Sequence, residues 1–203
     1  ALTADMSWLP AVENHGEGIF LQFKPDAIDA WLKRPAVIKR GVALQAGFAI
    51  WKRDHEQSSR EFPGLPYIML HSLAHLLLTA VSLECGYPAS SLRERVYAIP
   101  GGYGILIYTG SPDAEGTLGG LVQAGREITK HLRRAIEMAA LCSNDPVCAY
   151  HEPAEHDHQP LNGAACHGCL LIAETSCEQR NEYLDRALVM ATVESLDAEF
   201  FDL

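Results

Sequence analysis

The sequence predicts an α+β fold in which helices pack on a small, largely antiparallel sheet. Two β-rich segments flank a Pro-Gly-Gly turn, and a third such segment lies near the N-terminus. The remaining segments carry helical periodicity with helix-start and helix-stop residues. The 203 residues, 48% hydrophobic and 21% charged, have an ordinary globular composition. A chain of this size can fold without a metal ion, so a metal would organise a local loop.

The first predicted elements are a strand and two helices. Residues Gly18–Lys24 alternate and are rich in aromatic and β-branched side chains, which predicts a strand. Pro25 opens a short helix through Lys33, and Pro35 opens a second helix that runs to about Glu56. The next segment, Ser58–Pro66, contains two prolines and a glycine and is predicted to be a loop.

A nearly all-apolar helix is predicted at Tyr67–Cys85, closed by Gly86 and Pro88. Its apolar run is too interrupted by polar residues for a membrane span, so we predict a buried core helix and no membrane association. The polar residues are His71, Ser72, His75, Thr79 and Ser82. The first residues lack a basic segment followed by an apolar one, so no secretory signal is expected.

The second half is predicted to contain a hairpin and three further helices. Strands at Arg93–Ile99 and Gly104–Thr109 flank the turn at Pro100. The Gly-rich segment Glu115–Gly120 leads into a helix, and a longer amphipathic helix spans about Arg126–Leu141. After a loop rich in cysteine and histidine, a last helix is expected from Glu178 to about Val193.

The net charge of −10 argues against non-specific wrapping of DNA by the whole surface. Four cations nevertheless fall on one face of the amphipathic helix, and we call them the basic stripe: Arg126, Lys130, Arg133 and Arg134. This stripe is a candidate for local phosphate contact with DNA or RNA. A solvated helix face would have the same pattern, and Glu127 and Glu137 flank it.

Five of the six cysteines cluster in the pattern C-x5-C-x17-C-x2-C-x7-C. In a reducing compartment such clustering favours a metal over disulfides, and a C-x2-C turn can direct two sulfurs at one Zn²⁺ ion. Gly168 lies inside that turn and lets the backbone fold tightly. The favoured ligands, which we call the cysteine cluster, are Cys142, Cys148, Cys166 and Cys169.

Two alternatives remain open for this site. Cys177 could replace Cys142 or Cys148, and a Cys₃His site could use a nearby histidine, namely His151, His156, His158 or His167. Four protein ligands would leave no open position, so we predict one structural Zn²⁺ ion in the subregion 142–177.

His71 and His75 are spaced for one helix face, but the glutamate of the H-E-x-x-H motif is absent between them. We favour two hydrogen-bonded histidines inside a core or interface, since buried polar groups need partners. The alternative function is a hydrolase or nuclease that uses His71, His75, Asp113 and Glu115, provided that these groups converge in one cleft. First-turn carboxylates such as Asp113 and Glu115 are more often helix caps. Gly116–Gly120 matches no phosphate-binding motif and is better explained by tight packing of the following helix.

Several stretches in order along the chain carry a family resemblance. They are Trp8–Glu13, Gly16–Leu21, Leu70–Leu77, Leu106–Thr109, Gly116–Leu121, Ala165–Leu170 and Asn181–Arg186. Together they resemble DrmB, the helicase-associated component of the bacterial DISARM anti-phage system, and the likeness spans nearly the whole chain. The region is similar to the zinc-binding domain attached to MrfA-type repair helicases. In that domain the matching cysteines are zinc ligands, which again indicates the cysteine cluster.

The resemblance implies a non-catalytic accessory subunit that docks on a DrmA-like helicase and assists DNA binding through the complex. The sequence departs from the family in being short and in lacking helicase motor motifs. We therefore predict one helicase-associated domain over residues 1–203, in the cytoplasm, with no catalytic constellation. The apolar residues Phe200 and Phe201 of the acidic C-terminal end are a candidate partner contact.

Overall fold

The computed structural model describes residues 11, 13, 15–110, 119–155 and 159–202. The strands are β1 (Gly18–Phe23), β2 (Leu92–Ile99) and β3 (Gly102–Thr109). The α-helices are α1 (Pro25–Trp31), α2 (Pro35–Asp54), α3 (Leu65–Cys85), α4 (Gly120–Arg126) and α5 (Ile128–Ala139). Two short 3₁₀ helices lie at Ala89–Ser91 and Arg186–Leu188. The predicted α+β class is confirmed.

The three strands form one antiparallel sheet in the order β1-β3-β2. The β2–β3 hairpin turns at Gly101, whose φ of 79° favours glycine, as the Pro-Gly-Gly sequence predicts. β1 pairs with the other edge of β3, with Ile19 opposite Ile107. Burial alternates along β2, so that Leu92, Glu94 and Val96 all lie on the buried side. This alternation places a carboxylate among apolar side chains.

The long helix α3 runs through the core. It packs against the sheet, α4, α5 and the second 3₁₀ helix. Its length and composition alone would also allow it to cross a membrane, but 78% of its most apolar window is buried inside the protein. An all-apolar helix surface fits a core position of this kind. The helix ends where predicted, at Gly86, which adopts the left-handed conformation with φ 71° and donates to the carbonyl of Ser82.

The predicted amphipathic helix at about Arg126–Leu141 is confirmed as α5, which follows the shorter helix α4. The backbone at Glu127 leaves the helical region, with φ −107° and ψ 23°, and separates α4 from α5. α5 buries His131, Ala135, Ile136 and Ala139 against the core. Because Arg126 ends α4, it belongs to a different helix from the other three cations of the basic stripe.

The prediction of a last helix from Glu178 to about Val193 is wrong. Every residue in that range is described, and the only helical segment there is the 3₁₀ turn at Arg186–Leu188. Arg180, Asn181 and Tyr183 have φ values of 55°, 61° and 62°, in the left-handed region that side chains other than glycine rarely adopt. Tertiary contacts hold these conformations, since the Asn181 side chain bonds both the backbone N–H and the carbonyl of Ile172.

The C-terminal end is docked on the body of the protein. The indole of Trp31 donates to the carbonyl of Ala198 over 2.9 Å, and the Phe200 ring packs edge-on against Trp31. Phe201 is also partly buried against the core. Phe200 and Phe201 therefore help to stabilise the fold, and their role as a contact for a partner stays a prediction.

Candidate metal centre

The structure brings together the four side chains of the cysteine cluster. The Sγ atoms of Cys142 and Cys166 are 3.4 Å apart, and Cys169 Sγ lies 3.7 Å from Cys148 Sγ and 3.8 Å from Cys166 Sγ. All four sulfurs lie within 4.8 Å of one another. Sulfurs at the corners of a tetrahedron around Zn²⁺, with Zn–S bonds of ~2.3 Å, would be ~3.8 Å apart. The spacing and the soft donor set both fit zinc.

Two tight turns present sulfurs to this site. The N–H groups of Cys169 and Leu170 donate to the carbonyl of Cys166, which closes the C-x2-C turn. The backbone N–H of Gly168 donates to Cys166 Sγ over 3.3 Å, and that of Asn144 donates to Cys142 Sγ over 3.4 Å. Backbone donors at these distances favour the thiolate that a metal requires.

Gly168 lies in a crowded position and does not have an unusual backbone conformation. A Cβ atom there would lie 2.7 Å from Ser143 Oγ and 3.4 Å from Cys142 Sγ, because the Cys142 turn approaches from the other side. The sequence correctly singles out this glycine as needed for a tight site. The reason, close packing of two turns, emerges only from the three-dimensional arrangement.

Arg186 links the loop of the cysteine cluster to the end of α5. Its fully buried guanidinium donates to the carbonyl of Ala139 at the end of α5 and pairs with Asp145 of the loop. A hydrogen bond from the Cys169 thiol, aided by the Arg186 charge, lowers the pKa of Cys148 to about 6 despite burial. Sequence patterns give no indication of this residue, because it lies in the segment predicted as a helix.

Asp185 connects the loop that carries the cysteine cluster to the helices. Its carboxylate accepts from Arg40 Nε of α2 over 2.6 Å and from the N–H of Ala164 over 3.0 Å. Its backbone N–H donates to Ser72 Oγ of α3. Both Arg40 and Asp185 are buried. The buried Arg40–Asp185 ion pair thus anchors the loop, in addition to any metal ion that the cysteine cluster binds.

The alternatives to the four-cysteine set find no support among the described residues. Cys177 lies apart from the cysteine cluster, in a different group of side chains. His151 Nε2 lies 3.1 Å from the carbonyl of Gln159, and His167 lines a surface cavity with Trp51. His156 and His158 lie outside the described residues.

Cys177 belongs to a second group, which we call the buried tetrad: His71, His75, Glu94 and Cys177. His71 Nε2 lies 2.8 Å from Glu94 Oε1, 3.1 Å from His75 Nε2 and 3.2 Å from Cys177 Sγ. The prediction that the two histidines are hydrogen-bonded inside the core is confirmed. Glu94 and Cys177 are the partners that the sequence did not reveal.

The electrostatics of the buried tetrad favour an ionised glutamate. Burial alone would raise the pKa of Glu94, but the two imidazoles lower it to about 2. Burial would lower the pKa of His71, and the Glu94 carboxylate outweighs this and raises it. The buried carboxylate therefore needs a cation beside it, which either an imidazolium of the pair or a bound metal ion can supply.

The basic stripe is placed on the surface, with much of its charge paired. Lys130 forms ion pairs with Glu84 and Glu127, and Arg134 lies 3.8 Å from Glu137. Arg126, on α4, reaches Gln123. The stripe borders a shallow surface depression that Glu84 and Glu137 also line. Its use for nucleic-acid contact stays a prediction.

The N-terminus of α4 is occupied by the carboxylate of Glu17. This side chain accepts from the backbone N–H groups of Gly119, Leu121 and Val122, the last two at 3.0 and 3.2 Å. An internal carboxylate thus neutralises the helix end and leaves no room for a bound phosphate there. Asp113, Glu115 and Gly116 lie outside the described residues.

Comparison with known proteins agrees with this geometry. Residues 73–170 match the family described as the MrfA Zn-binding domain. Over 96% of its length the chain is 43% identical to the DISARM protein DrmB of Bacillus paralicheniformis. The chain is thus similar over nearly its whole length to part of a DISARM protein, and its central segment matches the MrfA Zn-binding domain family. It spans about a third (35%) of the length of that DrmB relative.

The matched zinc-binding segment contains the whole cysteine cluster of this DrmB-like chain. It also contains His75 and Glu94, whereas His71 and Cys177 fall outside its two ends. The family match therefore includes all four residues of the cysteine cluster but only two of the four residues of the buried tetrad.

Proposed function

We propose that this DrmB-like chain is a non-catalytic, zinc-organised accessory module of an anti-phage defence complex. In this proposal it docks on a DrmA-like helicase subunit and assists DNA binding through the complex. The observation that carries it is the closed set of four thiols inside a segment that matches a zinc-binding family. The likeness to a DISARM protein supports the cellular role.

The cysteine cluster would hold one Zn²⁺ ion with Cys142, Cys148, Cys166 and Cys169 as its ligands. When bound, the ion would supply shape and not chemistry, because four protein ligands leave no position for water or substrate. It would fix the two turns against each other and so hold the surface of the loop in one conformation. A rigid surface of this kind suits recognition of another protein.

Exposed apolar side chains beside the cysteine cluster support a docking role. Leu141 and Val147, which neighbour Cys142 and Cys148 in the sequence, are 78% and 79% exposed. Side chains of this kind on a loop held by a metal are suited to bury themselves against a partner. We propose that this surface, and not the C-terminal phenylalanines, contacts the helicase.

Contact with DNA is proposed through the assembled complex. The chain carries a net charge of −10, and acidic partners offset much of the basic stripe. Binding of phosphates depends on clustered, unneutralised cations, so the stripe alone would give weak affinity. Arg133 and Arg134 are exposed and could add to a surface completed by the helicase.

A cytoplasmic location is proposed from the state of the thiols. All six cysteines, each of which lies in the described part of the chain, are free. Thiols that bind zinc persist in a reducing compartment, where disulfides are rare. We also propose that residues 1–203 act as one domain, since the contact of Trp31 with Ala198 joins the two ends of the described chain.

The hydrolase alternative gains no support from the His pair. His71 and His75 have no exposed surface, so neither ring can reach a substrate in this conformation. Asp113 and Glu115, which that function also needs, lie outside the described residues.

Co-purification with the DrmA-like helicase tests the proposed function. The chain should retain the helicase, and the Cys166→Ser/Cys169→Ser double variant should lose at least tenfold in apparent affinity because the loop is no longer fixed. Leu141→Asp and Val147→Asp should weaken the complex with the zinc content unchanged.

Two variants serve as matched controls. Cys85→Ser alters the one cysteine outside both groups. Ile99→Asp alters another exposed apolar residue, which lies at the hairpin end and is 67% exposed. Both should bind the helicase as the unmodified chain does. Helicase binding that is unaffected by loss of the cysteine cluster would contradict the docking role.

A further inference from the structure

We propose that the buried tetrad is a second zinc site, separate from the cysteine cluster. Its donors are two imidazole nitrogens, one carboxylate oxygen and one thiol sulfur, which are the atom types that bind Zn²⁺ in proteins. All four donor atoms lie within 4.8 Å of one another, and all four residues are buried. Distances, hydrogen bonds, charge and topology support this second site, and it is independent of the proposed docking role.

The donor spacing matches a tetrahedron around one small ion. Bonds of ~2.0–2.1 Å from Zn²⁺ to nitrogen or oxygen place such atoms ~3.3 Å apart, and a sulfur lies ~3.5 Å from its nitrogen neighbours. The two Nε2 atoms are 3.1 Å apart, and His75 Nε2 lies 3.2 Å from Glu94 Oε1. His71 Nε2 is 3.2 Å from Cys177 Sγ. His71 Nε2 is 2.8 Å from Glu94 Oε1, so shifts of up to about half an ångström would complete the tetrahedron.

The outer nitrogens of both rings are already committed. His71 Nδ1 lies 3.1 Å from the carbonyl of Tyr183, and His75 Nδ1 lies 2.8 Å from the carbonyl of Leu170. A carbonyl only accepts, so each Nδ1 carries a proton, and the two Nε2 atoms face each other and Glu94 Oε1. An ion bound by both Nε2 atoms would replace the proton that otherwise pairs an imidazole with the Glu94 carboxylate. Metal-binding histidines show this arrangement, with the second N–H donated to a backbone carbonyl.

The sulfur of Cys177 is prepared in the same way as two sulfurs of the cysteine cluster. It accepts from the backbone N–H of Gln179 over 3.3 Å and from that of Asn181 over 3.1 Å. The donor two residues after the cysteine is the one that Cys142 and Cys166 also use. Backbone donors favour the thiolate form, which is the form that binds a metal.

Charge balance also favours an ion. One thiolate and one carboxylate neutralise one divalent cation, so the occupied site would carry no net charge, as a buried site requires. The second oxygen of Glu94, Oε2, is buried and has no hydrogen-bond partner among the described residues. A buried carboxylate oxygen without a donor is costly, and contact with a cation would remove that cost.

The second site would fasten the segment at Cys177 to the core. The histidines belong to α3, Glu94 belongs to the edge strand β2, and the Cys177 segment runs beside that edge. The N–H of Glu94 already donates to the carbonyl of Ser176, and the N–H of Val96 donates to Glu178. A shared ion would help to hold this segment in turns where the sequence predicts a helix.

Zinc analysis of the full chain tests the proposal without any substitution. The purified protein should contain two zinc ions per chain by elemental analysis. X-ray absorption should show five sulfur ligands shared between two ions, with nitrogen and oxygen in the remainder. One zinc ion per chain with an all-sulfur shell, in protein purified with zinc present, would overturn the second site.

Variants separate the two sites. Cys177→Ser and Glu94→Gln should each reduce the content from two ions to one, with the remaining ion in an all-sulfur shell. Cys166→Ser/Cys169→Ser should also leave one ion, now bound by nitrogen, oxygen and one sulfur. Cys85→Ser should keep both. If Cys177→Ser fails to fold, cobalt substitution of the unmodified chain still tests the proposal. The absorption spectrum should then contain the bands of a cobalt ion with one thiolate ligand in addition to those of a cobalt ion with four. Absence of the one-thiolate bands would contradict the proposal.

Discussion

The cysteine cluster and the buried tetrad present metal-binding atoms in opposite surroundings. The cysteine cluster lies on one loop of about thirty residues and is mostly half-exposed, whereas the tetrad unites two helical residues, a strand residue and a loop residue without solvent access. The first can be assembled by local turns. The second exists only when α3, β2 and the Cys177 segment have packed together. The difference separates a site that shapes a surface from one that holds a core.

Zinc removal should separate the two sites most clearly. With a strong chelator, the cysteine cluster should release its ion first, and release from the tetrad should be at least about tenfold slower, because it requires local opening of the core. Full removal should free the loop of the cysteine cluster and lower the free energy of unfolding while most of the fold is retained, because a chain of this size can fold without a metal ion. A zinc-sensitive dye follows release, and near-ultraviolet circular dichroism follows the fold. Release of all zinc in one phase would contradict the distinction.

Asp185→Ala removes the residue that links the loop of the cysteine cluster to α2 and α3. Loss of one partner of the buried Arg40–Asp185 pair should lower the free energy of unfolding by about 3–5 kcal/mol. Asp29→Ala, at an exposed position of α1, should change it by less than about 0.5 kcal/mol. Urea denaturation measures both. Equal effects would show that the pair does not hold the loop.

The two site glycines provide a matched comparison of smaller effects. A Cβ at Gly163 would collide with the Asp185 carboxylate and lie 2.7 Å from Arg40 Nη2, so Gly163→Ala should cost about 2–3 kcal/mol. At Gly168 the nearest atom is the hydroxyl of Ser143, which can rotate away, so Gly168→Ala should cost about 1 kcal/mol. Denaturation midpoints with zinc present measure the difference. A larger loss at Gly168 would mean that its turn cannot adjust.

The sequence predicts this protein well where the signals are local. Pro25, Pro35 and Gly86 begin or end helices within a few residues of their predicted positions, because they act on their own backbone. The cysteine cluster was found for the same reason, since a C-x2-C turn needs only four residues. These features depend mainly on residues that are close together in the sequence.

The sequence fails where tertiary contacts decide. Tyr183 accepts from His71 with its carbonyl and adopts a left-handed backbone, so the segment that contains it cannot be a helix, whatever its periodicity. Glu94 lies between two charged residues and resembles an exposed strand position. Its alternation with Leu92 and Val96, both buried, was the one signal that placed it inside.

The basic stripe differs from the cysteine cluster and the buried tetrad in solvent exposure, because its charged side chains lie on the surface. Arg133→Ala should leave the denaturation midpoint unchanged, since the side chain is exposed on α5. If Arg133 contacts a phosphate in the helicase complex, the variant should reduce the slope of log affinity against log salt by about 0.9 for duplex DNA. Glu137→Gln frees Arg134 from its ion pair at 3.8 Å and should shift affinity in the opposite direction. An unchanged salt slope in both variants would remove DNA contact from this face and leave protein docking as the role of the exposed surface.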